Sequence, residues 1–179
     1  DVFRAIRGGA STVGAIDCTA GPQNEVAVKV AGAEMGNFEP GVYPTIALRG
    51  LDIDAGKEGR GGLGEFVLKN IDFNPTLDAL EAGLDQLSEA WFEANWRSLL
   101  PAMAGLSVSA LDLDAPNPES PGERIQFKLD SFDLTLGDYL NGIPTQISTS
   151  AKGLDIPLPQ DSRDPQMQML LAIGLTRLN

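Results

Sequence analysis

The chain has no histidine and one cysteine, Cys18, among 179 residues. These two absences remove histidine acid/base chemistry, Ser-His-Asp and Cys-His catalysis, cysteine-histidine zinc sites and any disulfide within the chain. Aromatic residues make up only 6%, so few large rings are on hand to nucleate a core or stack on a ligand. Long apolar runs are missing as well. Met169-Leu170-Leu171-Ala172-Ile173 is typical, far short of the roughly 20 residues that cross a bilayer as a helix, and no membrane span is expected. Basic residues are scarce: 13 stand against 25 acidic ones, for a net charge of −12. Such a charge repels phosphate backbones, so nucleic acid is excluded as a natural partner.

What is present is ordinary globular material, 42% hydrophobic and 21% charged, long enough to bury roughly two-thirds of its unfolded surface around a real core. The sequence opens at Asp1 without a methionine or a basic-then-apolar stretch, and it stops in the alternation Ile173-Gly174-Leu175-Thr176, which reads as the start of a new strand. The expectation is a single domain over 1–179, or a fragment of a longer repeat protein. Cys18 is expected to be a half-buried free thiol.

Self-similarity organises the rest. Val26-Ala27-Val28-Lys29-Val30 and Ile125-Gln126-Phe127-Lys128-Leu129 alternate with lysine in the same slot, the period of a strand with one buried face. Tyr43-Pro44-Thr45 and Arg49-Gly50-Leu51-Asp52-Ile53 follow the first; Ile143-Pro144-Thr145 and Lys152-Gly153-Leu154-Asp155-Ile156 follow the second. Polar loops at 55–62 and 115–122, rich in Gly and Pro, join the segments as hairpins. The units run approximately over 24–73 and 106–158.

Between them a long helix is expected over 74–104, with Asn74 as N-cap and Pro75 in its first turn. Leu77, Leu80, Leu84, Leu87 and Trp91 recur at three- and four-residue steps on one face. Phe92, Trp96, Leu99, Leu100 and Met103 widen it toward Pro101. A short C-terminal helix starts at Asp164-Pro165, buries Met167, Leu170, Leu171 and Ile173, and stops at Gly174. The predicted class is α+β, dominated by β: a repetitive curved antiparallel sheet of hairpin units with one long inserted helix.

Chemistry-bearing motifs fail on inspection. The acids Asp52, Asp54 and Glu58 suggest a calcium loop, but Lys57 stands where the turn glycine belongs and Leu63 replaces the bidentate acid. Asp112, Asp114 and Glu119 read the same way, as outward residues of half-buried strands. The glycines at 56, 59, 61, 62 and 64 lack a following Gly-Lys-Ser/Thr. We therefore expect no catalytic residue, no metal and no cofactor, and a non-enzymatic protein. A hydrolase working through carboxylates alone is the weakest of three classes considered. The helix has the best claim to function: packed on a curved sheet it would enclose an apolar ligand, with Leu80, Leu84, Trp91, Phe92, Phe66 and Phe127 as ligand-binding candidates. Ordinary core is the competing assignment for the helix aromatics.

With Gly142-Ile143-Pro144-Thr145, Lys152-Gly153-Leu154-Asp155-Ile156-Pro157-Leu158 and Asp164-Pro165 leading to Ile173-Gly174 in view, the chain resembles repeat-bearing envelope proteins of alphaproteobacteria. More distantly, the strand-turn-strand unit is similar to AsmA-type and YdgA-type periplasmic proteins. That resemblance implies export to the periplasm, a signal segment upstream of Asp1, a sheet that holds lipid, and no catalytic residues to carry over. The expected partner is a lipid or acyl chain; the alternative is another envelope protein, bound by a structural module with no ligand.

Overall fold

A computed structural model describes residues 5–21, 25–118, 122–158 and 165–178. The chain is built around one eight-stranded antiparallel sheet. Its strands are β1 (Ser11–Val13), β2 (Ile16–Ala20), β3 (Val26–Met35), β4 (Val42–Asp54), β5 (Arg60–Asp72), β6 (Ala102–Pro116), β7 (Arg124–Leu140) and β8 (Ile143–Lys152). From β3 to β8 each strand pairs with the next in sequence, a meander, while β1 and β2 share the outer edge of β3. Asn141 and Gly142 turn β7 into β8 with φ of 51° and 77°, the left-handed pair that matches the twist of a two-residue hairpin. A two-stranded ribbon of β9 (Ile156–Pro157) and β10 (Arg177–Leu178) closes the C-terminal end.

The expected long helix is instead two short ones. Helix α1 spans Asn74–Gly83 and α2 spans Glu89–Asn95, each running into a 3-10 turn, Leu84–Gln86 and Trp96–Leu99. Leu87 is extended between them (φ −58°, ψ 107°), and Ser88 starts α2 by accepting the Trp91 N–H on its hydroxyl at 3.2 Å. The apolar spacing survives this break, which is why periodicity did not disclose it. At the first helix start the capping group is Asp72, whose Oδ1 accepts both the backbone N–H and the side-chain amide of Asn74 at 2.9 Å. Helix α3 spans Pro165–Ala172 and closes at Gly174, φ 84°, with Gly174 N–H donating to Leu171 and Leu175 N–H to Leu170. Asp164, its expected cap, lies outside the described residues; Leu170 and Leu171 are half-buried and Ile173 is exposed.

The ladder registers sort the sheet into one polar and one apolar face. Arg49 and Glu65 are cross-strand partners, and Arg49 forks onto Glu34 and Glu65 at 2.6 and 2.8 Å. Lys69 reaches Asp133, and Lys128 reaches its partner Asp112. Opposite rows are hydrocarbon: Ala33, Leu48, Phe66, Val108 and Phe132 are successive partners, as are Val30, Leu51, Leu63, Leu111 and Leu129.

Between these two apolar rows runs a line of residues that form no ladder pair: Ala31, Gly50, Gly64, Ala110 and Asp130. Gly50 (φ 60°) and Ala110 (φ 50°) are left-handed, and Gly153 (φ 63°) lies against Asp130 in the same line. At this crease the apolar/polar alternation slips by one residue in every strand from β3 to β7. A strictly alternating strand would carry its apolar residues across to the other face; the slip keeps Leu48 and Leu51, three apart, on one side. Asn70 (φ 48°) does the same lower down, where Ile46 and Tyr43 line one cleft. The Lys29–Asp52 and Lys128–Asp155 pairings flank the line on equivalent sides.

No thick core results, contrary to expectation. Among the described residues only Ala47 and Leu158 are buried apolar side chains. The accessible surface is 12062 Å², against about 8,400 Å² for a compact monomer of this mass. Helix α1 covers only one end of the apolar face. Cys18 is exposed rather than half-buried, because it sits on the edge strand β2, all of whose residues are exposed.

Candidate functional site

Where α1 leaves the sheet it leans back over the strand ends and leaves a cleft of about 530 Å³. The floor is Met35 of β3, Tyr43 and Ile46 of β4, and Ile71 of β5; the roof is Leu77 and Leu80 of α1; Ile6, Gly41 and Phe73 close the sides. Met35 and Ile46 are ladder partners, as are Tyr43 and Ile71, so the floor is fixed by the sheet. Tyr43 is held in an aromatic row, stacked on Phe38 at 5.3 Å and edge-on to Phe73 at 5.8 Å. The Phe73 N–H donates to the Gly41 carbonyl at 2.7 Å, tying the helix start to the β3–β4 turn.

None of the nine lining residues is charged. The cleft thus offers dispersion contact and water exclusion, with neither an acid/base pair nor an anion clamp among its lining, and its size is that of a small-molecule site. A second hollow, of about 500 Å³, lies on the other flank of α1 between Pro75, Asp78, Ala79 and the β7 end at Tyr139. It is more polar.

Of the six residues named from sequence, Leu80 lines the cleft. Phe66 lies on the same sheet face beyond Ile46, and Phe127 lies farther up, beyond the crease, paired with Leu113. Leu84 is 63% exposed on the 3-10 turn. Trp91 packs across Gly83, whose position leaves no room for a Cβ beside the indole, and meets Phe92 edge-on at 5.3 Å. Phe92 faces solvent. The six are not brought together. The strand residues Met35, Tyr43, Ile46 and Ile71 are not among the six, because helix periodicity singles out helix aromatics; the signal in the sequence is Leu77 and Leu80 on one helix face directly after the strand carrying Ile71.

Of the acids that suggested calcium loops, Asp54, Asp112 and Asp114 have other partners, and Glu119 lies outside the described residues. Asp54 accepts from Gly56 N–H at 2.8 Å to close the β4–β5 turn. Asp112 pairs with Lys128, and Asp114 with Arg124 and Arg60. On the polar face, the Glu65 hydrogen bond and the Glu34 charge push the Arg49 guanidinium above its ordinary pKa. No helix is long and apolar enough to cross a membrane among the described residues. No family model, curated protein or solved structure matches the chain.

Proposed function

We propose that the chain is a non-enzymatic cell-envelope module that holds a lipid acyl chain or similar apolar ligand in the cleft between sheet and α1. The supporting observation is the uncharged lining of that cleft, from Met35 and Ile46 on its floor to Leu77 and Leu80 above. Burial of one apolar chain there returns about 25 cal/mol for each Å² removed from water. In this reading the hairpins are copies of a repeat that builds a curved sheet, with Gly50 and Gly153 at equivalent creases. The periplasmic location and the kinship with AsmA-type and YdgA-type proteins belong to the same proposal and rest on the sequence resemblance.

Native mass spectrometry of the freshly purified chain, beside its denatured mass, tests it. The expected result is a non-covalent lipid-sized adduct, released on unfolding and lost in a folded Leu80→Arg variant. A clean apo mass that stays clean after incubation with phospholipids and fatty acids would overturn it. A second reading, a structural module of a longer periplasmic repeat protein, draws on β8, an edge strand with nine of ten residues exposed and an outer row of backbone groups open to another strand.

A further inference from the structure

Above the cleft the apolar face is bare. Strands β3 to β7, flanked by β1 and β2 along β3, present it from Leu48 to Ile53 in β4, and the ladder pairs carry no charged side chain on that side. Ile53, Leu113 and Ile125 are 36%, 41% and 43% exposed. A sheet with a face of this kind is stable when a second layer covers it.

We propose that the layer is a second copy of this chain, the two sheets packing face to face in a closed two-fold dimer. The area argues for it. Six strands at about 4.8 Å and the six residues from Leu48 to Ile53 at about 3.3 Å give roughly 570 Å² per copy as a flat rectangle, to which side-chain relief adds. Two copies then bury at least about 1,140 Å², which side-chain relief carries into the low end of the roughly 1,200–2,000 Å² of stable interfaces. Charge placement agrees: the ion pairs Arg49–Glu65 and Lys128–Asp112 sit on the opposite face, so a net charge of −12 per copy is kept outside the interface. Helix α1 stands on the apolar side at the cleft end, and its thickness of about 10–12 Å is close to the ~10 Å spacing of stacked sheets. It would occupy the same layer as the partner sheet and end it on that side.

Sedimentation of the whole chain over micromolar to submillimolar concentration tests this. The expected result is a monomer–dimer equilibrium that tightens with salt, as screening weakens repulsion between outward charges, and that shifts at least tenfold toward monomer in Leu111→Lys. Should that variant not fold, a spin label on Cys18, the lone cysteine at the rim of the face, gives one inter-copy distance in a dimer and none in a monomer. A folded monomer throughout, mass that grows without limit, or association weakened by salt would each overturn the proposal. So would a monomer carrying several lipid adducts. Leu111→Lys should leave the cleft adduct in place and Leu80→Arg should leave the dimer, so the two proposals fail separately.

Discussion

The Tyr139 hydroxyl bonds both backbone groups of Met103, donating to the carbonyl at 2.6 Å and accepting from the N–H at 3.0 Å. The two residues lie on neighbouring strands just past the last β6–β7 ladder pair, Gly105 with Thr135. The phenol thus takes over where the ladder stops. Tyr139→Phe removes one donor and one acceptor partner and is expected to lower stability by roughly 1–3 kcal/mol. Urea denaturation measures it; an unchanged midpoint would mean that water replaces the phenol.

Asp114 is the one buried charged residue among the described ones, and Arg124 reaches it at 2.5 Å with Arg60 at 3.5 Å. Asp114→Ala leaves Arg124 without its partner in a half-covered position. A loss of roughly 1–3 kcal/mol is expected, with most of it absent when Arg124 is already alanine. A double-mutant cycle with no coupling would put the pair among inert surface contacts.

Ala110 holds a left-handed φ of 50°, which costs a residue with a Cβ roughly 1–2 kcal/mol. Ala110→Gly should raise stability by about 0.5–1 kcal/mol, the reverse of what glycine does in a regular strand. Ser109→Gly, one residue away, is the control and should lower it. Thermal melts of the two variants moving in the same direction would contradict the crease.

Arg177 donates to both oxygens of Asp155 at 2.7 and 2.6 Å, and that hydrogen bonding holds the Asp155 carboxyl below the usual carboxylate range. Folding depresses this pKa, so its contribution is fully present above the unfolded value of about 3.9 and is lost as pH falls through the folded one. The β9–β10 ribbon should loosen in acid below about pH 3.9. A carbon-detected titration should place Asp155 low in the native chain and at its ordinary value in Arg177→Gln. An ordinary value in both would show the pair to be open in solution.

Much of the sheet was readable because strand alternation is local: Val26 to Val30 and Ile125 to Leu129 announce β3 and β7, and Gly174 announces the end of α3. The crease was not readable at Ala110, since nothing about alanine signals φ 50° and the slip emerges only when five strands are aligned. The helix break hid behind Leu84, Leu87 and Trp91, which keep helical spacing through a segment that is not helical. Alternation also says that a face is apolar without saying that anything covers it, which is why a core was expected where Leu51 and Leu113 stay partly exposed. The cleft needed the β3–β4 and β4–β5 registers, long-range facts that bring Met35, Ile46 and Ile71 to the roof formed by Leu77 and Leu80.

Asp72 and Ala102 are ladder partners, so both helices of the insert are, topologically, the loop of one hairpin. The other meander turns join strands across a handful of residues, whereas this loop spans residues 73–101. Closing a loop about six times longer costs roughly 1–2 kcal/mol more in chain entropy. The β5–β6 seam is therefore the slow step of assembly: the strands before it and after it zip locally and then join. Hydrogen exchange should find two cooperative units parted at that seam, with the floor of the α1 cleft belonging to the first.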